Sequence, residues 1–250
     1  MIVAAAICPC PPLLARELTG QAEVLPELRA ACAAAVGFLA ASAPDVIVVA
    51  GPGEESASWD PGGRLDLAAY APAPGKARPD KEGGGAVALP LSLGIGARLL
   101  DEAGYTGPRA LHGIGTLAEP GHCLRAGRQV AHSAPRVALL AMGDGSARRS
   151  VSAPGYLDER AAPFDAAVER AVRDADLAAL AAIAPALAAD LMAAGRPAWQ
   201  VLAGALRAAG ADDEPAAADD GPPSGRIQTE VLYSDAPFGV AYLVATLAPA

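Results

Sequence analysis

Short, uninterrupted apolar runs alternate along this chain with stretches whose apolar positions recur every three or four residues. "IVAAAI" (2–7) is such a run and predicts a buried strand. In "PELRAACAAAVGFLAAS" (26–42), Leu28, Cys32, Val36 and Leu39 fall on one helical face. "APDVIVVAGPG" (43–53) predicts a central strand that Gly51-Pro52-Gly53 ends abruptly. Strand, helix, strand at this spacing is a βαβ unit, which makes the first two strands parallel.

Residues 59–88 are rich in Pro, Gly and charge. They read as a surface excursion with one short edge strand around "RLDLAAY". The spacing then predicts a helix over 91–104, a strand over 108–115, a short helix over 121–133 and a strong strand over 136–146 with a glycine-rich exit. An amphipathic helix follows over 156–176. "PALAADLMAAG" and "PAWQVLAGALRAAG" each open with Pro and close with Gly, the usual helix punctuation. Residues 211–225 form an acidic Pro/Gly loop. The chain closes with two β runs flanking "SDAPFG", an antiparallel pair at a sheet edge.

This order predicts one α/β domain over 1–250, with loops at 59–88 and 211–225. Its sheet is mainly parallel with antiparallel additions, and helices cover both faces. In such sheets ligands bind beyond the carboxyl ends of the strands. Three exits therefore matter: Cys8-Pro9-Cys10, Gly51-Pro52-Gly53-Glu54, and Gly143-Asp144-Gly145-Ser146.

Bulk composition narrows the function classes. The chain has 250 residues, 52% hydrophobic and 19% charged, which suits a soluble globular protein. Its formal net charge of −9 supplies no basic face for nucleic acid. "MIVAAAICPC" has no basic n-region, and its apolar run is too short to span a membrane, so it reads as a first strand and not a leader. The four cysteines, Cys8, Cys10, Cys32 and Cys123, make no disulfide framework, and a reducing cytoplasm is the natural setting.

Each candidate motif carries a chemical reading, or more than one, beside a purely structural one. Cys8 and Cys10 are either thiolate ligands for a soft metal such as zinc, copper(I) or iron, or small buried hydrophobes. Pro11 restricts Cys10 to extended geometry, and the bend at Pro11-Pro12 aims its side chain toward the crevice. Glu54 is a carboxylate ligand, a general base or a solvated loop residue. "GDGSARR" is a phosphate cradle with Arg148-Arg149, a Ser146 nucleophile, or a turn of close backbone approach. It is neither a P-loop nor a G-x-S-x-G elbow, because both continuations are missing. "LGIGARLL" lies inside a helical stretch, which discounts it as a dinucleotide fingerprint. His112, His122 and His132 form no H-x-x-x-H pair; His122 with Cys123 is a candidate site edge.

"CPCPPLL", "PDVIVVAGPGE", "LLAMGDGSARR", "AAPFDAAVERAV", "AWQVLAGAL" and the closing "EVLYSDAPFGVAYLVA", in that order, resemble the LigB-like branch of the class III extradiol ring-cleavage dioxygenase superfamily. The last segment resembles a subgroup of mostly uncharacterised bacterial members. The resemblance covers nearly the whole chain. It implies an α/β domain that holds Fe(II) with two histidines and a glutamate at the strand ends, uses another histidine as acid/base, and opens a catechol ring with O2. Such a triad leaves coordination positions free for substrate and O2.

The chain departs from that pattern where the chemistry lies. By the resemblance, Cys10 and Glu54 stand at the two histidine ligands, and Ala147 at the acid/base histidine. Gly195 stands at the ligand glutamate, with Asp190 a little over one turn before it. Three functions follow as expectations. One is a family member without ring cleavage that keeps its crevice, lined by Cys8, Cys10, Pro11, Gly51, Gly53, Glu54, Gly143, Ala147, His112 and His122, for a small molecule or protein partner. The second is a rewired metalloenzyme holding zinc or copper through Cys10 and Glu54, with His112 or His122 as a further ligand and Asp144 transferring protons. The third is a structural component of a larger assembly. Edge strands that need cover predict a homo-oligomer.

Overall fold

The computed structural model describes residues 1–20, 22–70, 87–209 and 227–249. The chain opens with β1 (Ile2–Cys8), a 3-10 turn at Pro12–Leu14, α1 (Arg16–Thr19), α2 (Pro26–Ala41), β2 (Val46–Gly53) and β3 (Ala57–Trp59). A small parallel pair, β4 (Arg64–Leu65) and β5 (Ala88–Leu89), brackets residues 71–86, which lie outside the described residues. Then come α3 (Leu91–Glu102), β6 (Arg109–Gly115), α4 (Pro120–Ala131) and β7 (Val137–Met142). The second half holds α5 (Ala161–Arg173), α6 (Leu177–Ala181), α7 (Pro185–Asp190) and α8 (Arg196–Ala209), then β8 (Ile227–Asp235) and β9 (Tyr242–Pro249). The loop expected at 211–225 also lies outside the described residues.

Seven strands form one sheet in the order β3-β6-β2-β7-β1-β9-β8. The four central strands, β6, β2, β7 and β1, are parallel; β3, β9 and β8 join antiparallel. The first two strands are parallel as expected, but β7 lies between them and pairs with both. The expected short edge strand near Arg64 forms, but it pairs with β5 and not with the main sheet.

Both faces of the central strands are buried, which explains their unbroken apolar runs. Along β7, Val137, Leu139 and Ala141 face one core, while Ala138, Leu140 and Met142 face the other. The first core lies under α4, α5 and α8; the second lies under α2 and α3. Leu28, Cys32, Val36 and Leu39, the stripe expected on α2, are all fully buried in the second core. Each such leucine contributes about 1.5–3 kcal/mol by leaving water.

Glycines set the close approaches. A Cβ on Gly96 of α3 would sit 2.6 Å from Val49 Cγ1. Gly96 therefore lets α3 lie against the main sheet, Gly94 makes room for Leu65 of β4, and no phosphate role is needed. On the other face α4 crosses α8 almost backbone to backbone: a Cβ on Gly204 would fall 2.8 Å from Leu124 Cα, and one on Gly127 2.7 Å from Ala205 N.

The helix expected over 156–176 begins only at Ala161. Residues before it form an irregular loop pinned by hydrogen bonds such as Gly155 N–H to Ala147 O and Asp158 N–H to Arg148 O. The helix expected from Pro185 ends at Asp190, followed by Met192 at φ 54°. Periodicity did not announce α6, a five-residue helix capped by the Asp176 carboxylate.

Candidate functional site

Parallel neighbours β1, β7 and β2 end on the same edge of the sheet, so their exits lie side by side. The β1 and β7 exits are tied directly. Gly143 N–H donates to Cys8 O at 2.9 Å, and Cys10 N–H donates to Asp144 Oδ1 at 2.7 Å. The start of β9 closes the third side. Gly145 N–H donates to Ala241 O and Ala241 N–H to Ser146 O, both at 2.8 Å. Because Ile7 pairs with Ala245 in an antiparallel ladder, β9 starts past the end of β1, which sets Tyr242 beside Cys10.

Cys10, Asp144 and Tyr242 thus form a compact cluster at the carboxyl edge. Cys10 is 5% exposed and packs in the core under α2 with Cys8 and Cys32. Burial pushes its thiol well up, and the adjacent Asp144 carboxylate pushes it further. Cys8 is also pushed well up, first by its hydrogen bond with Cys32 and then by burial. Both thiols are therefore held neutral. Desolvation raises Asp144 to about 6, against the opposing pull of hydrogen bonds from Cys10. Burial likewise holds the Tyr242 phenol protonated. An acid titrating near 6 beside two neutral donors can take or give a proton near neutral pH.

The second exit is built differently. Gly51 is needed because a Cβ there would meet Ser92 Oγ at 2.6 Å; that hydroxyl, from α3, donates to Pro52 O at 2.7 Å. Gly53 pairs with Gly115, and Glu54 stands exposed in the turn leading to β3. Cys10 is buried while Glu54 is solvated, so the two expected ligands occupy unlike surroundings. Among the described residues, no group of three or more His, Cys, Asp or Glu is placed to hold a metal ion.

Gly195 and Ala147, which the resemblance would set at the ligand glutamate and the acid/base histidine, also lie at the β7 exit. Gly195 N–H donates to Asp144 O at 2.8 Å, and Ala147 N–H donates to Leu191 O at 3.0 Å. A Cβ on Gly195 would lie 2.5 Å from Trp199 Cε2 and 3.0 Å from Asp144 O, so no side chain fits there. This donor set, a buried thiol, an exposed carboxylate, a glycine and an alanine, does not fit a 2-His-1-carboxylate iron site.

Ser146 is fully buried. Its hydroxyl donates to Asp165 Oδ2 at 2.6 Å and its N–H to Asp165 Oδ1 at 2.9 Å. Arg149 reaches the same carboxylate at 3.2 Å. The loop after β7 is therefore organised around one acid of α5. A cavity of about 230 Å³ opens beside it, walled by Arg149, Asp165, Glu169, Trp199 and Tyr242 among others. Trp199 is 1% exposed, and its indole N–H has no hydrogen-bond partner. Such an orphan donor is costly unless something accepts from it.

His112 and His122 lie elsewhere, along a groove at the β3–β6 edge. His112 Nδ1 is 3.1 Å from Ser58 Oγ, and burial lowers its pKa. His122 is exposed on the first turn of α4. The site-edge partner expected for His122, Cys123, points instead into the core.

Sequence reasoning gave no role to Asp165, Trp199 or Tyr242. The signal for Asp165 was present in "AAPFDAAVERAV", an acid early on an amphipathic helix. Nothing local marks Tyr242, whose place depends on β9 pairing with β1.

No protein-family model matches the chain, and no curated protein matches it. Among solved structures, it is similar to the crystal structure of uncharacterized protein JW3007 from Escherichia coli K12. The TM-score is 0.54 over 98% of this chain and 99% of that one, at 14% identity. The likeness is one of fold: a single α/β domain with a mixed, mostly parallel sheet between helices. No helix among the described residues is long and apolar enough to cross a membrane.

Proposed function

We infer that this protein is a LigB-like member of the extradiol dioxygenase superfamily that does not cleave rings and instead binds a small molecule at its carboxyl edge. The observation that carries the reading is the replacement set at the aligned positions. Gly195 has no room for a ligand side chain beside Trp199. Ala147 offers no acid/base group, which forfeits a typical 10²–10⁴-fold contribution. The cavity that remains beside the β7 exit, about 230 Å³ and walled by Arg149, Asp165, Trp199 and Tyr242, is not the crevice expected from the sequence: none of Cys8, Cys10, Pro11, Gly51, Gly53, Glu54, Gly143, Ala147, His112 and His122 lines it. Arg149 is the cationic group in its wall, which suits an occupant with a carbonyl or carboxylate oxygen.

The test has two arms. Protein purified without oxygen and supplied with Fe(II) should consume no O2 with catechols above an Fe(II) blank. Metal content should be far below stoichiometric and equal in Cys10→Ala. Near-stoichiometric metal lost in that variant would sink the reading and favour the rewired metalloenzyme. For binding, the chain has two tryptophans, so Trp59→Phe leaves Trp199 as the sole indole reporter. A set of small carbonyl and carboxylate compounds should include some that shift its fluorescence saturably. A set that leaves it unmoved would argue against an open cavity.

A further inference from the structure

A second cavity, of about 410 Å³, runs along the sheet edge between β3, β6 and α4 and shares no lining residue with the first. Two of the chain's three histidines line it. His112 projects from β6 with Nδ1 held by Ser58, which leaves Nε2 for a ligand. His122, Arg125 and Gln129 follow one face of α4 at spacings of three and four residues. Arg125 and Gln129 are hydrogen-bond donors, and each neutral imidazole carries one N–H: with Ser58 donating to Nδ1, His112 donates from Nε2. Among the described residues, none that lines the groove is acidic, although the chain carries a formal net charge of −9. The inner wall is apolar, formed by Ile114, Val130 and Val201.

We propose that this groove is a binding site for a small phosphomonoester, with the phosphate on His112, His122 and Arg125 and the organic body against Ile114, Val130 and Val201. The cationic and neutral donors match the acceptor oxygens of a dianion, and a guanidinium grips phosphate bidentately. The volume exceeds what a bare phosphate fills, and the apolar wall rewards an attached organic group.

Histidine side-chain NMR reads the site directly, because the chain has only three histidines. His132 serves as internal reference: it is exposed at the end of α4, its Nδ1 2.7 Å from Arg128 O, outside the groove. Phenyl phosphate, titrated at constant ionic strength, should shift His112 and His122 saturably and leave His132 in place. Inorganic phosphate should bind more weakly, and phenol should give no saturable shift. Arg125→Gln, an exposed substitution that leaves both reporters, should weaken phenyl phosphate by at least about tenfold. The proposal is overturned if all three histidines move together, if phenol or inorganic phosphate matches phenyl phosphate, or if Arg125→Gln changes nothing.

Discussion

Asp144 is the residue on which the carboxyl edge turns. Its carboxyl accepts from Cys10 N–H and is raised to about 6 by desolvation. A carboxyl raised on folding stabilises the fold while protonated. That contribution is whole below the ordinary value of 3.8 and is lost as pH climbs through about 6. The interval from 3.8 to about 6 corresponds to about 3 kcal/mol. Asn keeps an acceptor for Cys10 without the charge. Asp144→Asn should therefore gain stability relative to the parent as pH rises from 4 to 8, by up to about 3 kcal/mol. Urea unfolding at pH 4, 6 and 8 measures this; a constant difference across those values would mean that the carboxyl is well solvated. Gly195 shows the opposite residue-scale limit, since its neighbour Trp199 leaves no room even for a methyl group.

Among the elements, the crossing of α4 and α8 decides how the site region is held. Arg196, 1% exposed at the start of α8, donates to Ala118 O at 2.7 Å, Thr116 O at 2.6 Å and Gln200 Oε1 at 2.9 Å. A buried guanidinium satisfied by carbonyls locks the β6–α4 connection to α8, and so fixes the groove's α4 wall. Close helix approach requires Gly127 and Gly204. Gly204→Ala should lose stability, a strain of about 1–3 kcal/mol outweighing its helix-propensity gain. Gly37→Ala on α2 is the control: it is exposed, with nothing within 4 Å of a new Cβ. There the change should add about 0.5–1 kcal/mol. Thermal melts of the two variants should move in opposite directions; both rising would mean that α4 and α8 are not in backbone contact.

Across the whole molecule, the formal charge of −9 repels itself, while ion pairs such as Arg98–Glu17 and Arg173–Glu169 are largely solvent-exposed. Exposed pairs contribute little and weaken in salt, whereas screening relieves net repulsion across the surface. Raising NaCl from 10 to 300 mM should therefore raise the melting temperature by a few degrees. A fall would mean that the surface pairs outweigh the repulsion.

Most of the scaffold was legible in the chain. The runs at 2–7, 43–53 and 136–146 are apolar on both faces, which only a strand covered on both sides requires, and Leu28, Cys32, Val36 and Leu39 mark the buried stripe of α2. Proline and glycine marked where those strands end. Legibility failed where structure depends on contacts between distant segments. α6 is too short for periodicity to register. Residues 156–160, expected to open the helix, belong instead to a loop held by hydrogen bonds to Ala147 and Arg148. Most of all, the chain's order cannot say that β7 enters between β1 and β2, and that insertion is what brings Asp144 to Cys10. Local sequence determined which residues form strands and helices, because burial period and backbone stereochemistry act over a few residues. Tertiary structure alone decided which polar groups lose their water together, and with that the neutral thiols, the raised Asp144 and the unpartnered indole of Trp199.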